Sequence, residues 1–151
     1  MSNLASYFDE RLILFLEASN QKAALKQLIE PLYELKKIED PVFFLEKVEA
    51  REKIVSTGVG FGVAIPHAKV SGTDEFFIAL GILKKPLDWK AIDGHPVRLL
   101  FLIGGPDDKQ NEYLQILSQI TSLIKDENFR KNLLTLNSPT DIVNFLRSLL
   151  G

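Results

Sequence analysis

His67 is one of only two histidines in the 151-residue chain, and it ends a segment whose residue types suit an anion. Arg51 opens the segment and Ser56 and Thr57 follow. Gly58, Gly60 and Gly62 alternate through its middle, and Val63-Ala64-Ile65-Pro66 leads into the ring. An imidazole that accepts a phosphoryl group must present a neutral ring nitrogen. The phosphorus must be approached in line, and charge on its equatorial oxygens must be met by donors already in place. Backbone must also come close without side chains in the way, which is a use for glycine. His67 supplies the ring, Arg51 a planar fork suited to phosphate, and Ser56 and Thr57 two hydroxyls. Three glycines spaced by two would leave one face of an extended stretch bare.

The same residues admit blander readings. A histidine after proline can be a turn residue or a satisfied core group, and Arg51 can be a solvated charge near a helix end. Ser56 and Thr57 can bond their own backbone, and the glycines can mark an irregular strand. A nucleotide-binding loop fits less well. Gly58-Val59-Gly60-Phe61-Gly62 lacks the dinucleotide spacing, a strand rather than a helix follows it, and no Lys-Ser/Thr pair closes it.

The elements that must position these groups are legible as patterns. Arg11 to Leu16 reads as a buried strand. Ser19 is the expected N-cap of a helix carrying Leu25, Leu28, Ile29, Leu32 and Leu35, which Pro31 should kink or shorten. Asp40-Pro41 restarts a helix expected to run to about Lys53. Val63-Ala64-Ile65 reads as a short strand stopped by Pro66. Phe76 to Leu83 and Val97 to Ile103 are near-continuous apolar runs, as in strands covered on both faces. Asp93-Gly94 marks a turn before the second run, and Gly104-Gly105-Pro106 is expected to end it. Everything after Asp107 is helical in type. Leu114, Leu117, Ile120, Leu123 and Ile124 line one helix, Phe129, Leu133 and Leu134 a short second one, and Ser138-Pro139-Thr140-Asp141 opens the last. The expected fold is α/β: one layered domain over residues 1–151, with a small mixed β-sheet flanked by helices.

With 46% hydrophobic and 25% charged residues, the chain is long enough to bury a core. A formal net charge of −2 without a long basic run argues against nucleic acid as a partner. The absence of cysteine removes disulfides, thiolate metal sites and a cysteine nucleophile together. Two separated histidines without clustered carboxylates are poor metal ligands, so no metal is expected. No apolar run approaches the ~20 residues that cross a bilayer, and no leader pattern opens the chain. Cytoplasmic residence without membrane insertion is the expectation, and Met1 and Gly151 suggest a chain that stands alone.

Arg51-Glu52, then Ser56-Thr57-Gly58-Val59-Gly60, then Val63-Ala64-Ile65-Pro66-His67 resembles the active-site signature of enzyme IIA domains. These belong to the bacterial phosphoenolpyruvate-dependent phosphotransferase system. The branch resembled is the fructose/mannitol type, which includes the nitrogen-regulatory enzyme IIA proteins. The resemblance covers nearly the whole chain, including Ala91-Ile92-Asp93-Gly94 and the Leu99 to Ile103 strand. It implies that His67 accepts a phosphoryl group from a histidine phosphocarrier protein. The chain would then pass the group to an enzyme IIB domain or sugar transporter, or signal a regulatory target with it. It also implies that Arg51 and Thr57 support the phosphoryl group, with Ser56, Gly58, Gly60 and Gly62 around it, and that no cofactor is needed.

The chain departs from the family at one position. Active members usually carry a second histidine early in the helix after the last long strand. The matching stretch here, Gln110 to Leu117, places Tyr113 there. A phenol can donate to a phosphoryl oxygen but cannot become a cation near neutral pH. Tyr113 can equally be the cap of an apolar stripe. A regulatory protein-binding module of the same fold, with weak or lost transfer, is the alternative it raises. His95, in Asp93-Gly94-His95-Pro96, is expected to be a solvated turn residue. Trp89 is expected to anchor packing, and Phe61 to add to an apolar rim near His67.

Overall fold

In the computed structural model, residues 3–151 are described. A 3-10 turn at Leu4–Tyr7 leads into β1 (Phe8–Leu16), followed by α1 (Gln21–Glu34) and α2 (Pro41–Ile54). Three short strands follow: β2 (Gly58–Gly60), β3 (Val63–Ala64) and β4 (His67–Val70). Two long ones, β5 (Phe77–Leu87) and β6 (Val97–Pro106), precede α3 (Gln110–Leu123), α4 (Glu127–Thr135) and α5 (Pro139–Leu150).

The six strands form one mixed sheet in the order β1-β5-β6-β3-β2, and β4 pairs with β6 farther along the edge that β3 uses. β1 runs parallel to β5, β5 antiparallel to β6, and β3 and β4 parallel to β6. The central strand β6 alternates between two cores. Leu100 and Leu102 face the cluster built with Leu25, Leu28, Phe44 and Val48 of α1 and α2. Leu99, Phe101 and Ile103 face the one built with Ile116, Ile120, Phe129 and Leu146 of α3, α4 and α5. Burial on both faces is why this strand reads as an unbroken apolar run. The outcome is the expected layered α/β domain.

Four local expectations are corrected. The side chain that caps α1 belongs to Asn20, which accepts from the Ala23 amide at 2.8 Å, rather than to Ser19. Pro31 neither stops nor shortens the helix before Glu34; it forfeits its own N–H bond, but it lies within the last turn, so little helix follows for it to displace. Pro66 does not end the pairing of its segment. It has no N–H to give, but its carbonyl accepts from the Ile103 amide at 3.0 Å, and β4 resumes beside β6 at His67. Gly104 and Gly105 lie inside β6, not beyond it. A Cβ on Gly104 would stand 2.4 Å from Phe77, and one on Gly105 would stand 2.2 Å from Phe76. Glycine there makes room for aromatic rings.

Candidate functional site

His67 is the first residue of β4, in register with Ile103 of β6. The sheet therefore fixes its backbone, and the ring stands half-buried at the strand's start. Nδ1 lies 2.9 Å from the Ile65 carbonyl oxygen. A carbonyl only accepts, so Nδ1 carries the hydrogen and the lone pair sits on Nε2. Ile65 is itself held, because its amide donates to the Thr57 carbonyl at 2.9 Å. The ring orientation is thus set through two backbone groups that belong to the signature segment.

Thr57 is a knot in that segment and is buried (3% exposed). Its amide donates to Glu52 Oε2 at 2.6 Å, its hydroxyl donates to Glu52 Oε1, and it accepts from Trp89 Nε1 at 3.2 Å. Ser56 donates its hydroxyl to the Trp89 carbonyl at 2.9 Å and accepts from the Gly58 amide at 3.1 Å. Both hydroxyls are thereby committed to protein partners. Trp89 is fully buried and anchors the segment as expected. Glu52 has no signal in periodicity or composition, because it joins a helix end to a loop five residues on.

The glycines have conformational and packing reasons of their own. A Cβ on Gly58 would meet Ala91 at 2.7 Å, so the loop after Trp89 can lie against the strand. Gly60 and Gly62 take positive φ in the hairpin between β2 and β3, and Phe61 does so as well. Phe61 is half exposed, with the Arg130 guanidinium 4.9 Å over its ring. His95 stands exposed in its turn, its amide bonded to Asp93 at 3.0 Å.

Arg51 lies in the last turn of α2 and donates to the Val55 carbonyl at 3.0 Å, a cation at the negative end of a helix. Its charge reaches both His67 and Tyr113, lowering the proton affinity of each. Tyr113, in the first turns of α3, faces His67 with ring centroids 5.6 Å apart, and stacks on Phe76 at 6.1 Å. Burial dominates at Tyr113 and pushes the phenol up to about 12, so its hydroxyl keeps its proton at neutral pH. The structure therefore sets His67 and Tyr113 face to face, with the Arg51 charge felt by both. It sets Ser56, Thr57 and the glycines behind them as framework. Among the described residues, no three His, Cys, Asp or Glu side chains are grouped to hold a metal.

Burial lowers the His67 pKa below its ordinary 6.5, helped by Arg51 and Lys69 and opposed by the Ile65 carbonyl and Glu52. A lowered value favours the neutral ring, so reactivity should be level through neutral pH and fall only on acidification. An NMR titration of the His67 ring is expected to give a midpoint below 6.5. A midpoint above that value would contradict the burial of the ring.

A three-layered α/β domain with a half-buried histidine fixed through Nδ1 and faced by a buried phenol is the class that fold and site define. The family model described as "Phosphoenolpyruvate-dependent sugar phosphotransferase system, EIIA 2" matches residues 6–149, and the chain belongs to this family. It is 34% identical over 124 residues to a nitrogen regulatory protein of Bradyrhizobium diazoefficiens, covering 82% of this chain and 80% of that one. It is 32% identical over 133 residues to the PTS system fructose-specific EIIABC component of Bacillus subtilis. That match covers 88% of this chain but only 21% of that much longer relative. The crystal structure of nitrogen regulatory protein IIA-Ntr from Neisseria meningitidis superposes with a TM-score of 0.88 at 27% identity, covering 95% of this chain and 98% of that one. No helix among the described residues is long and apolar enough to cross a membrane.

Proposed function

We propose that this domain is a phosphoryl carrier that accepts its group on Nε2 of His67 from a histidine phosphocarrier protein. The observation that carries the reading is the Nδ1 contact with the Ile65 carbonyl, which leaves Nε2 as the nucleophile. In the step, the Nε2 lone pair attacks phosphorus in line. The P–Nε2 bond forms as the donor's P–N bond breaks, and the electron pair of that bond returns to the donor ring. The hydrogen stays on Nδ1, bonded to the Ile65 carbonyl, so no proton has to leave. That hydrogen bond also spreads the positive charge that develops on the imidazole.

Arg51 meets the phosphoryl oxygens with a charge already in place, held by the Val55 carbonyl. Tyr113 serves as a neutral hydroxyl donor. Thr57 supports the group through the ring rather than by contact, since its carbonyl holds Ile65 and its hydroxyl is taken by Glu52 and Trp89. Ser56, Gly58, Gly60 and Gly62 shape the hairpin behind it. Discharge to an EIIB domain follows the same path in reverse, or the phosphorylated state is read by a regulatory target. The names of the Bacillus and Bradyrhizobium relatives suit these two outlets respectively. Such exchange places the domain in the cytoplasm. Incubation with phosphoenolpyruvate, enzyme I and a phosphocarrier protein is expected to leave acid-labile phosphate on the chain. Its absence would overturn the reading.

A further inference from the structure

Lys69 follows His67 by two residues on β4, so both side chains leave the same face of the strand. The ammonium is not adrift in solvent. Nζ stands 4.6 Å from the centroid of the Tyr113 ring and donates to Oε1 of Gln110. That ring is the one that faces His67 at 5.6 Å. Gln110 is the first residue of α3, and Lys109 at the N-cap makes no side-chain cap bond there. The lysine thus leans across the phenol with its charge held at the same helix end that presents Tyr113. A cation on an aromatic face is a stable resting place, and one that a phosphoryl dianion can outbid.

We propose that Lys69 is a catalytic residue of the transfer, its ammonium contacting a phosphoryl oxygen on His67 Nε2 and supplying the cation that Tyr113 cannot. The proposal rests on His67 being the acceptor. Three groups then surround the phosphoryl group: the Arg51 guanidinium from α2, the Tyr113 hydroxyl from α3 and the Lys69 ammonium from β4. In this chain the loss of a histidine opposite His67 is offset by a lysine lying on the residue that replaced it. The charge of Lys69 is felt at the acceptor, where it opposes protonation of the ring. Lys69 is partly exposed and its neighbours on the strand carry the core contacts, so its replacement leaves the fold in place.

The test uses two phosphoryl donors, the phosphocarrier protein and the small molecule phosphoramidate, which needs no docking surface. Lys69→Met is expected to slow labelling of His67 by both donors about tenfold to a hundredfold, whereas Lys69→Arg retains most of the rate. In a Tyr113→His background the cost of Lys69→Met should shrink, because an imidazolium can stand in for the ammonium. Equal phosphoramidate rates for the wild type and Lys69→Met would overturn the proposal and leave the acceptor assignment intact. Slowing with the carrier protein alone would also overturn it, making Lys69 a docking residue. A wild type that takes no label from either donor would overturn the underlying carrier reading instead.

Discussion

His67→Ala is expected to abolish phosphoryl acceptance completely while the protein remains folded. On the proposed role of His67 the loss is total rather than graded, because the nucleophile is also the covalent acceptor and no group left at the site can hold the bond. Arg51 can stabilise charge but cannot be phosphorylated by the carrier, and Tyr113 keeps its proton, burial having raised its pKa to about 12. The fold should survive because β4 is held by backbone pairing to β6 at His67, Ala68, Lys69 and Val70, none of which needs the ring. The Ile65 carbonyl loses its side-chain donor. The His67 ring is only half-buried, so water can take the vacated place. Acid-labile label on the alanine variant would show that another residue accepts the group. A collapsed unfolding transition would show that the ring is structural.

Gly104→Ala is expected to be strongly destabilising for a change of one methyl group. The added Cβ would stand 2.4 Å from Cζ of Phe77 and 2.8 Å from Cζ of Phe44. Those rings are 2% and 1% exposed and pack on each other with centroids 6.1 Å apart, so neither can swing into solvent. Overpacking of this kind costs about 1–3 kcal/mol, which is a large share of the stability of a domain this size. Chemical denaturation measures it directly, as a lowered midpoint with an unchanged slope. Gly105 provides the link to function, since a Cβ there would press on Phe76, the ring against which Tyr113 stacks. An unchanged midpoint for Gly104→Ala would contradict the packing described for β6.

The layered fold was readable because its main signals are local. β5 and β6 announce themselves as apolar runs buried on both faces. Asp40 and Ser138 cap their helices as their positions suggest, accepting from the amides of Phe43 and Asp141. The candidate acceptor is picked out in the same way, since a glycine-rich approach to a Pro-His step is a linear pattern, and its role rests on the proposed function. What stayed hidden depends on contacts across the chain. The partner of Thr57 is a carboxylate at the end of a helix, and its second neighbour is a tryptophan 32 residues away. Gly58 answers to Ala91, and Gly104 and Gly105 answer to rings on the neighbouring strand. Gly104 and Gly105 read as a local stop, and Gly58 as part of a bare face, because the group that demands each is remote in sequence. Lys69 lacks a sequence signal for a different reason. Only when Pro66 is seen to pass the chain on into β4 does the period of two put that ammonium beside His67.

The tautomer of His67 is the point on which the chemistry turns, and it can be measured after the transfer as well as before. Protein labelled with 15N in its histidine rings can be phosphorylated through the carrier and examined by 31P and 15N NMR. The structure predicts a phosphoryl group on Nε2 of His67, with Nδ1 still protonated and bonded to the Ile65 carbonyl. A phosphoryl group on Nδ1, or on any residue other than His67, would contradict the account.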